Sequence, residues 1–168
     1  MPPSALLDML LIGPPKVGKT KLLEQFVLSH DSKAELAEFE LRREMIMGHH
    51  ALRGSGAKEV MNVLDCSGVD DAWPYVEEWF AHARYCILVY NVADKGSLSY
   101  ARRVFENGRA SGAELILYGN TYEMQKPNAR ISRDVVVDCI MAAKDLAARN
   151  SCVSMEGQDL RLLVESLL

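Results

Sequence analysis

A short stretch near the N-terminus carries the residues whose types and spacing point most directly to chemistry. It reads Gly13-Pro14-Pro15-Lys16-Val17-Gly18-Lys19-Thr20, which has the pattern GxxxxGK[ST]. An apolar run precedes it at residues 6–12 and a helical pattern follows at residues 21–28, which is the strand–loop–helix context that the pattern requires. Glycines in such a loop let successive backbone N–H groups face a phosphate, and the helix adds those of its first turn. The stretch is therefore predicted to be a phosphate-binding loop.

The side chains of this loop have separate expected roles. Lys19 is expected to reach β- and γ-phosphate oxygens, and the Thr20 hydroxyl to ligate Mg²⁺. The loop residues predicted to contact a nucleotide are Gly13, Pro15, Lys16, Val17, Gly18, Lys19 and Thr20.

The elements that must position this loop alternate between strand and helix patterns. Besides the strand before the loop, strands are predicted at residues 39–47, 59–64, 86–90 and 115–119 and near 152–153, with a hairpin loop at 48–57. Helices are predicted at about 19–29, from Pro74, from a Ser97 cap to about Asn107, from Ser132, and at 160–167. The helix after Ser132 is expected to face the sheet with Val136, Ile140 and Ala143, and with Val137 and Met141 alongside. This order predicts an α/β P-loop NTPase fold in one domain over residues 1–168, with a doubly wound, mostly parallel six-stranded sheet flanked by helices.

Composition excludes several classes of function. The formal net charge of −4 is spread without long blocks, which argues against a nucleic-acid partner. The apolar runs are shorter than the roughly 20 residues of a membrane span. Cys66, Cys86, Cys139 and Cys152 are scattered without metal-ligand spacing, as expected for reduced thiols in a cytoplasmic protein. The sequence ends without a prenylation cysteine, so no membrane anchor is expected.

Three further segments extend the pattern along the chain. They are Asp65-Cys66-Ser67-Gly68, residues 85–92 and residues 117–124. In order and spacing they resemble the DxxG motif, the fourth strand and the NKxD motif of Ras- and Rab-type small GTPases. That resemblance implies a small-GTPase fold that binds GTP or GDP with Mg²⁺.

The resemblance also implies roles for individual residues. Asp65 would hold Mg²⁺ through a water, and the Gly68 amide would sense a γ-phosphate. Asn120 and Glu123 would contact the base, and Ser154 and Met155 occupy the place of the family's SAK motif. Three alternatives stay open, since Asp65 is also a usual turn residue, Gly68 could simply permit a turn, and Asn120 is also a usual turn cap.

The departures from the family pattern concern hydrolysis and base recognition. Val69 stands where the family keeps the glutamine that orients the attacking water; Asp70 and Asp71 are expected to form a solvated turn. Thr20 and Thr121 are the threonines of the chain, so the first switch segment lacks a threonine for Mg²⁺. Thr121 and Glu123 replace the Lys and Asp of NKxD, which predicts a weakened preference for guanine. We expect slow hydrolysis.

Among small GTPases, the sequence most resembles the atypical Rab-like subunits of the intraflagellar transport B complex. The Gly-Pro start of the phosphate loop, the Asp-Cys-x-Gly and the following Trp73-Pro74 carry this likeness. It implies a protein of the cytoplasm and of the cilium or flagellum and its base. Its expected partner is a larger, coiled-coil protein of that complex, and neither a nucleic acid nor a membrane anchor is expected.

Aromatic residues crowd the segment after DxxG: Trp73, Tyr75, Trp79 and Phe80. On a helix, Val76 and Phe80 share one face, which is expected to pack on the sheet. Because Trp and Tyr are enriched at binding hot spots, Trp73 and Tyr75 are predicted to contact the partner.

Three other functions are weighed against this one. The first is a vesicle-traffic Rab-type switch, which the missing lipid anchor and Val69 disfavour. The second is a P-loop kinase of a nucleotide or small metabolite, but Arg102, Arg103 and Arg109 fit the solvated face of a helix better than a kinase lid. The third is a pseudo-GTPase that binds no nucleotide, which Lys19 and Thr20 disfavour.

Overall fold

The fold is built on a six-stranded sheet, seen in a computed structural model that describes residues 7–22, 47–53, 60–70, 73–107 and 112–157. The strands are β1 (Leu7–Ile12), β2 (Met47–Arg53), β3 (Val60–Cys66), β4 (Ala83–Asn91), β5 (Glu114–Asn120) and β6 (Val153–Glu156). Their order is β2-β3-β1-β4-β5-β6; β2 pairs antiparallel with β3, and every other pairing is parallel. The predicted α/β fold is confirmed.

Three helices pack on one face of the sheet, and the described first turn of another helix packs on the opposite face. Residues 19–22 are helical (α1), and the longer helices are α2 (Trp73–Phe80), α3 (Leu98–Asn107) and α4 (Arg133–Arg149). Side chains of α2, α3 and α4 pack with alternate residues of β1 and β4 in one core cluster. The other residues of these strands pack with Val17 and Leu22 in a second cluster. The central strands are therefore buried on both faces, as their unbroken apolar runs predict.

Strand β2 includes residues that the sequence predicts as a hairpin loop. Residues 48–53, expected in a hairpin loop, form the strand, and the predicted strand residues 39–46 lie outside the described residues. The segment from Met47 to Arg53 pairs residue by residue with β3, from Cys66 back to Val60. This ladder of backbone hydrogen bonds outweighs the weak strand propensity of Gly48 and the histidines beside it.

Other details of the elements also differ from the prediction. Strand β3 continues through Asp65 to Cys66, and β6 begins at Val153 and runs to Glu156. Ser97 does not cap α3: it ends a short 3-10 helix, Lys95–Ser97, whose N-cap is Asp94. The Ser97 hydroxyl instead accepts from the N–H of Asn91 at 2.9 Å, which ties this turn to the end of β4.

Helix α4 buries a different stripe from the one predicted. Its buried residues are Val136, Cys139, Ala143 and Ala147, whereas Ile140 is half-buried. Val137 and Met141, expected alongside, are 48% and 61% exposed. Tight packing on the sheet selects the narrow stripe with small residues at its centre. The predicted helix at 160–167 lies outside the described residues. Within those residues, no helix is both long and apolar enough to cross a membrane.

Candidate nucleotide-binding site

The phosphate-binding loop joins the central strand β1 to α1. The N–H of Leu22 donates to the carbonyl of Gly18 at 2.9 Å, which starts the helix directly after the loop. Gly18 has a φ of 88° and Lys16 one of 64°, so the chain turns through left-handed conformations on both sides of Val17. Gly18 also lacks room for a side chain, because a Cβ atom there would lie 2.5 Å from Nδ2 of Asn120. These constraints hold the loop backbone in one curled shape.

Two prolines limit which backbone groups of the loop can donate. Pro14 and Pro15 carry no N–H, so the donors available to a phosphate begin at Lys16 and continue through Thr20. Pro15 therefore contributes shape rather than a hydrogen bond.

Lys19 lies inside the loop with only 8% of its surface exposed. Its ammonium donates to the carbonyls of Gly13 and Pro14, both at 2.8 Å. Burial lowers the pKa of Lys19, and the Asp65 carboxylate opposes that change. A buried cation with part of its hydration lost is a strong binding site for a phosphate, which restores the lost charge compensation.

Thr20 and Asp65 meet at the start of α1. The Thr20 hydroxyl donates to Oδ2 of Asp65 at 2.6 Å, and Asp65 is 7% exposed. Register brings them together, because Asp65 pairs with Leu11 on β1, next to the loop. A hydroxyl whose proton is held by a carboxylate keeps its lone pairs for a hard cation, and oxygen donors are what Mg²⁺ prefers. The residues therefore fit Mg²⁺. Thr20 would ligate the ion directly, Asp65 would hold it through a water, and the ion would neutralise phosphate charge.

Gly68 lies directly against the phosphate-binding loop. It is buried, and a Cβ atom on it would overlap the backbone of Gly13, Pro14 and Pro15. Only glycine fits this contact, which brings the Gly68 backbone to the loop as the resemblance implies.

Asn120 connects the phosphate-binding loop to the base-side loop, by which we mean residues 120–125, where the base contacts are predicted. It is 7% exposed, its Nδ2 donates to the carbonyl of Val17 at 2.8 Å, and its Oδ1 accepts from the N–H of Tyr122 at 3.0 Å. Glu123 lies in the short 3-10 helix Tyr122–Gln125, and its side chain is outside the description. Asn120 thus positions both loops, while the roles of Asn120 and Glu123 toward a base stay predictions.

Ser154 and Met155 are placed away from the loops. Both lie within β6, paired with Leu117 and Tyr118 rather than with Asn120 at the strand end. Met155 packs in the core, and the buried Ser154 hydroxyl has no hydrogen-bond partner within the part of the chain that the structure describes. The structure does not bring them together with the other predicted site residues.

The residues after Gly68 turn away from the loop toward α3. Val69 is 43% exposed, and its apolar side chain offers a water no hydrogen bond. Asp70 forms an ion pair with Nη1 of Arg103 at 2.8 Å. Trp73 is half-buried, and its ring meets Tyr100 edge-to-face at 5.9 Å between centroids.

Arg103 is the residue that sequence reasoning misplaced. It was expected on a solvated face, yet its guanidinium lies 4.6 Å from the Trp73 ring centroid and 5.4 Å from that of Tyr100. The i, i+3 spacing of Tyr100 and Arg103 on one helix face is the signal that could have indicated it. Tyr75 is the other aromatic residue predicted to contact a partner, and the structure does not describe its side chain.

A mostly parallel sheet with a phosphate loop after its first strand, together with the paired Thr20 and Asp65, defines a P-loop nucleotide-binding protein. Comparison with known protein families matches residues 8–158 to the Ras family, so the chain belongs to that family of small GTPases. Membership implies binding of GTP and GDP, typically with Mg²⁺. None of the curated proteins compared with the chain matches it.

Proposed function

We propose that this small GTPase domain is an atypical Rab-like subunit of the intraflagellar transport B complex, most like the subunit numbered twenty-two. In this role it binds GTP or GDP with Mg²⁺, hydrolyses GTP slowly and serves assembly of the cilium or flagellum. It would act in the cytoplasm and at the cilium or its base. The Asp-Cys-x-Gly at the end of β3 and the Trp73-Pro74 that opens α2 support this subfamily.

The arrangement around Val69 supports slow hydrolysis. Val69 follows Gly68 at the loop, and its side chain is apolar, so it cannot orient an attacking water. Asp70 is the nearest described carboxylate downstream, and its side chain pairs with Arg103 on α3. Neither residue supplies what the family glutamine supplies.

The observation that carries the partner role is the position of Trp73. Val76 and Phe80 of the same helix are 0% and 3% exposed and fill the core beneath it. Trp73 stays half-buried on the outer side of that core, beside a cleft of about 530 Å³ at the phosphate-binding loop. An aromatic anchor beside a cleft is typical of a protein-binding hot spot. The position of Trp73 supports our proposal of a larger coiled-coil partner that contacts Trp73, with Tyr75 as the second contact predicted from the sequence.

The test is capture by a purified coiled-coil subunit of the transport complex. Trp73→Ala together with Tyr75→Ala is expected to weaken binding by about 2 kcal/mol or more for each hot spot. Nucleotide binding and the thermal melt should change little. Met141→Ala is the matched control, because it removes an apolar side chain that is 61% exposed on a different helix. Full retention of the partner by the folded double variant would contradict the proposal.

A vesicle-traffic switch is the second candidate function. Membership of the Ras family supports both candidates equally. The segment after Gly68 discriminates between them. A switch needs that segment to change with the nucleotide and needs a means of hydrolysis, and Val69 in place of the family glutamine disfavours the second requirement.

A further inference from the structure

Helix α4 carries apolar side chains on its solvent side. Val137 and Met141 are four residues apart and therefore share a face, and they are 48% and 61% exposed. Ala148, which is also exposed, continues this face seven residues after Met141. Spacings of four and seven residues are those of the seam between two packed helices. We call Val137, Met141 and Ala148 the outer row of α4.

The outer row is not needed to hold α4 on the sheet. The residues that do so are on the opposite stripe and are buried: Val136, Cys139, Ala143 and Ala147. A single exposed apolar side chain is common on a protein surface and has no particular meaning. Apolar side chains grouped at the spacing of a helix seam are instead typical of a surface that binds another protein.

Two carboxylates lie along one edge of the outer row. Asp134 comes three residues before Val137, and Asp138 comes three residues before Met141, so each lies beside an apolar member of the row. Both are exposed, and neither forms an ion pair within the residues that the structure describes. The helix dipole favours Asp134 in the first turn, but Asp138 lies beyond that turn. This edge therefore has negative charge that the described part of the chain does not compensate.

The other edge of the outer row has the opposite charge. Lys144 lies there and forms an ion pair with Glu156 of β6 at 2.9 Å. Arg133 lies on the same side, eleven residues or about three turns before Lys144. Asp145, further along the acidic edge, is paired with Arg149 at 2.9 Å. A molecule that matches this face therefore needs cations along only one of its own edges.

We propose that the outer row of α4 is a docking surface for an amphipathic helix of another protein, whose apolar stripe is bounded on one edge by lysine or arginine. Those cations would lie against Asp134 and Asp138. A second copy of this chain fits less well, because it would bring the same unpaired carboxylates to the contact. The surface is separate from the one proposed for the coiled-coil partner, because α4 packs on β5 and β6, whereas α2, which carries Trp73, packs on β1 and β4.

The experiment uses a synthetic helix of defined charge as its probe. The basic-edge peptide has 17 residues, the length of α4, with a leucine stripe, lysines along one edge and a covalent staple that keeps it helical. A matched peptide has glutamates in place of those lysines. Each is titrated into the full chain with GDP and Mg²⁺; fluorescence anisotropy gives the affinity, and ¹³C-methyl methionine NMR locates the contact. The basic-edge peptide is expected to bind more tightly, to shift the Met141 methyl signal and to weaken with added salt.

Substitutions at exposed positions of α4 separate the apolar and the charged contributions, and they leave the core intact. Met141→Asp should weaken binding of the basic-edge peptide roughly tenfold or more, because it places a charge at the centre of the row. Asp134→Asn together with Asp138→Asn should weaken it roughly fivefold and bring the affinities of the two peptides together. Val135→Asp is the matched control, because Val135 is 45% exposed on the same helix but lies off the row, so binding should not change.

Several results would overturn the proposal. They are the absence of binding by the basic-edge peptide, equal binding of the two peptides by the wild type, and wild-type affinity in Met141→Asp. Sedimentation that shows a dimer of the wild type and a monomer of Met141→Asp would assign the outer row to a second copy instead. None of these results bears on capture of the coiled-coil partner, which is tested by the Trp73 and Tyr75 double variant.

Discussion

Lys19 lies where its charge is unfavourable until a phosphate arrives. Burial lowers its pKa, and two backbone carbonyls at 2.8 Å hold its ammonium within the loop. Those hydrogen bonds stabilise the shape of the loop, and the positive charge of the ammonium favours the binding of an anion. The same residue therefore serves the architecture of the loop and its affinity.

We predict that Lys19→Ala weakens nucleotide binding by about 2–4 kcal/mol, because a buried phosphate charge then loses its cation. Titration of a fluorescent GDP analogue measures this loss. The neighbouring Lys16→Ala is a useful comparison, since that side chain is exposed and should matter less. Wild-type affinity in Lys19→Ala would remove the phosphate-binding assignment.

A second prediction at the residue scale concerns Val69. Since its side chain cannot position a water, intrinsic GTP hydrolysis should proceed at about 10⁻⁴ s⁻¹ or below, the scale of an unassisted small GTPase. Single-turnover hydrolysis followed by chromatography gives the rate. Val69→Gln alone should not restore fast hydrolysis, because the chain offers no further threonine for Mg²⁺. Turnover within seconds in the free protein would contradict this account.

At the scale of elements, local patterns predicted some parts well and others poorly. Strands β1, β4 and β5 were predicted because their apolar runs fit burial on both faces. Residues 48–53 were not predicted as a strand because their strand conformation depends on pairing with β3, which no local pattern contains. The phosphate-binding loop and Asp65, which accepts a hydrogen bond from Thr20, were both predicted from motifs. Arg103 was not, because its contacts Asp70 and Trp73 lie about thirty residues earlier in the chain.

Two neighbouring valines of α4 allow a direct test of which face of the helix is buried against the sheet. Val136 and Val137 are adjacent, yet they are 7% and 48% exposed. Val136→Ala should lower the free energy of unfolding by about 1–2 kcal/mol, because it leaves a cavity against the sheet. Val137→Ala should change it by less than about 0.5 kcal/mol. Guanidinium unfolding of both variants measures the difference, and equal losses would show that the helix is rotated from the described packing.

At the scale of the whole molecule, strand order assembles the site. β1 lies between β3 and β4, so the phosphate-binding loop leaves the sheet beside Asp65. β5 follows β4, with Asn120 paired to Asn91, which brings Asn120 to the same edge. Ligands of open α/β sheets bind at this edge, outside the carboxyl ends of the strands. Residues far apart in sequence therefore converge because the topology is doubly wound, not because of any local propensity.

The central claim is that this edge binds guanine nucleotides, and competition binding tests it most directly. A fluorescent GDP analogue bound in the presence of Mg²⁺ is displaced by GDP, GTP, ADP or ATP, with Lys19→Ala as the control that should bind the analogue more weakly. We predict that GDP and GTP compete better than the adenine nucleotides. With Thr121 and Glu123 in the base-side loop, the preference should stay below about 10⁴-fold. Equal or better competition by ADP and ATP would contradict the account.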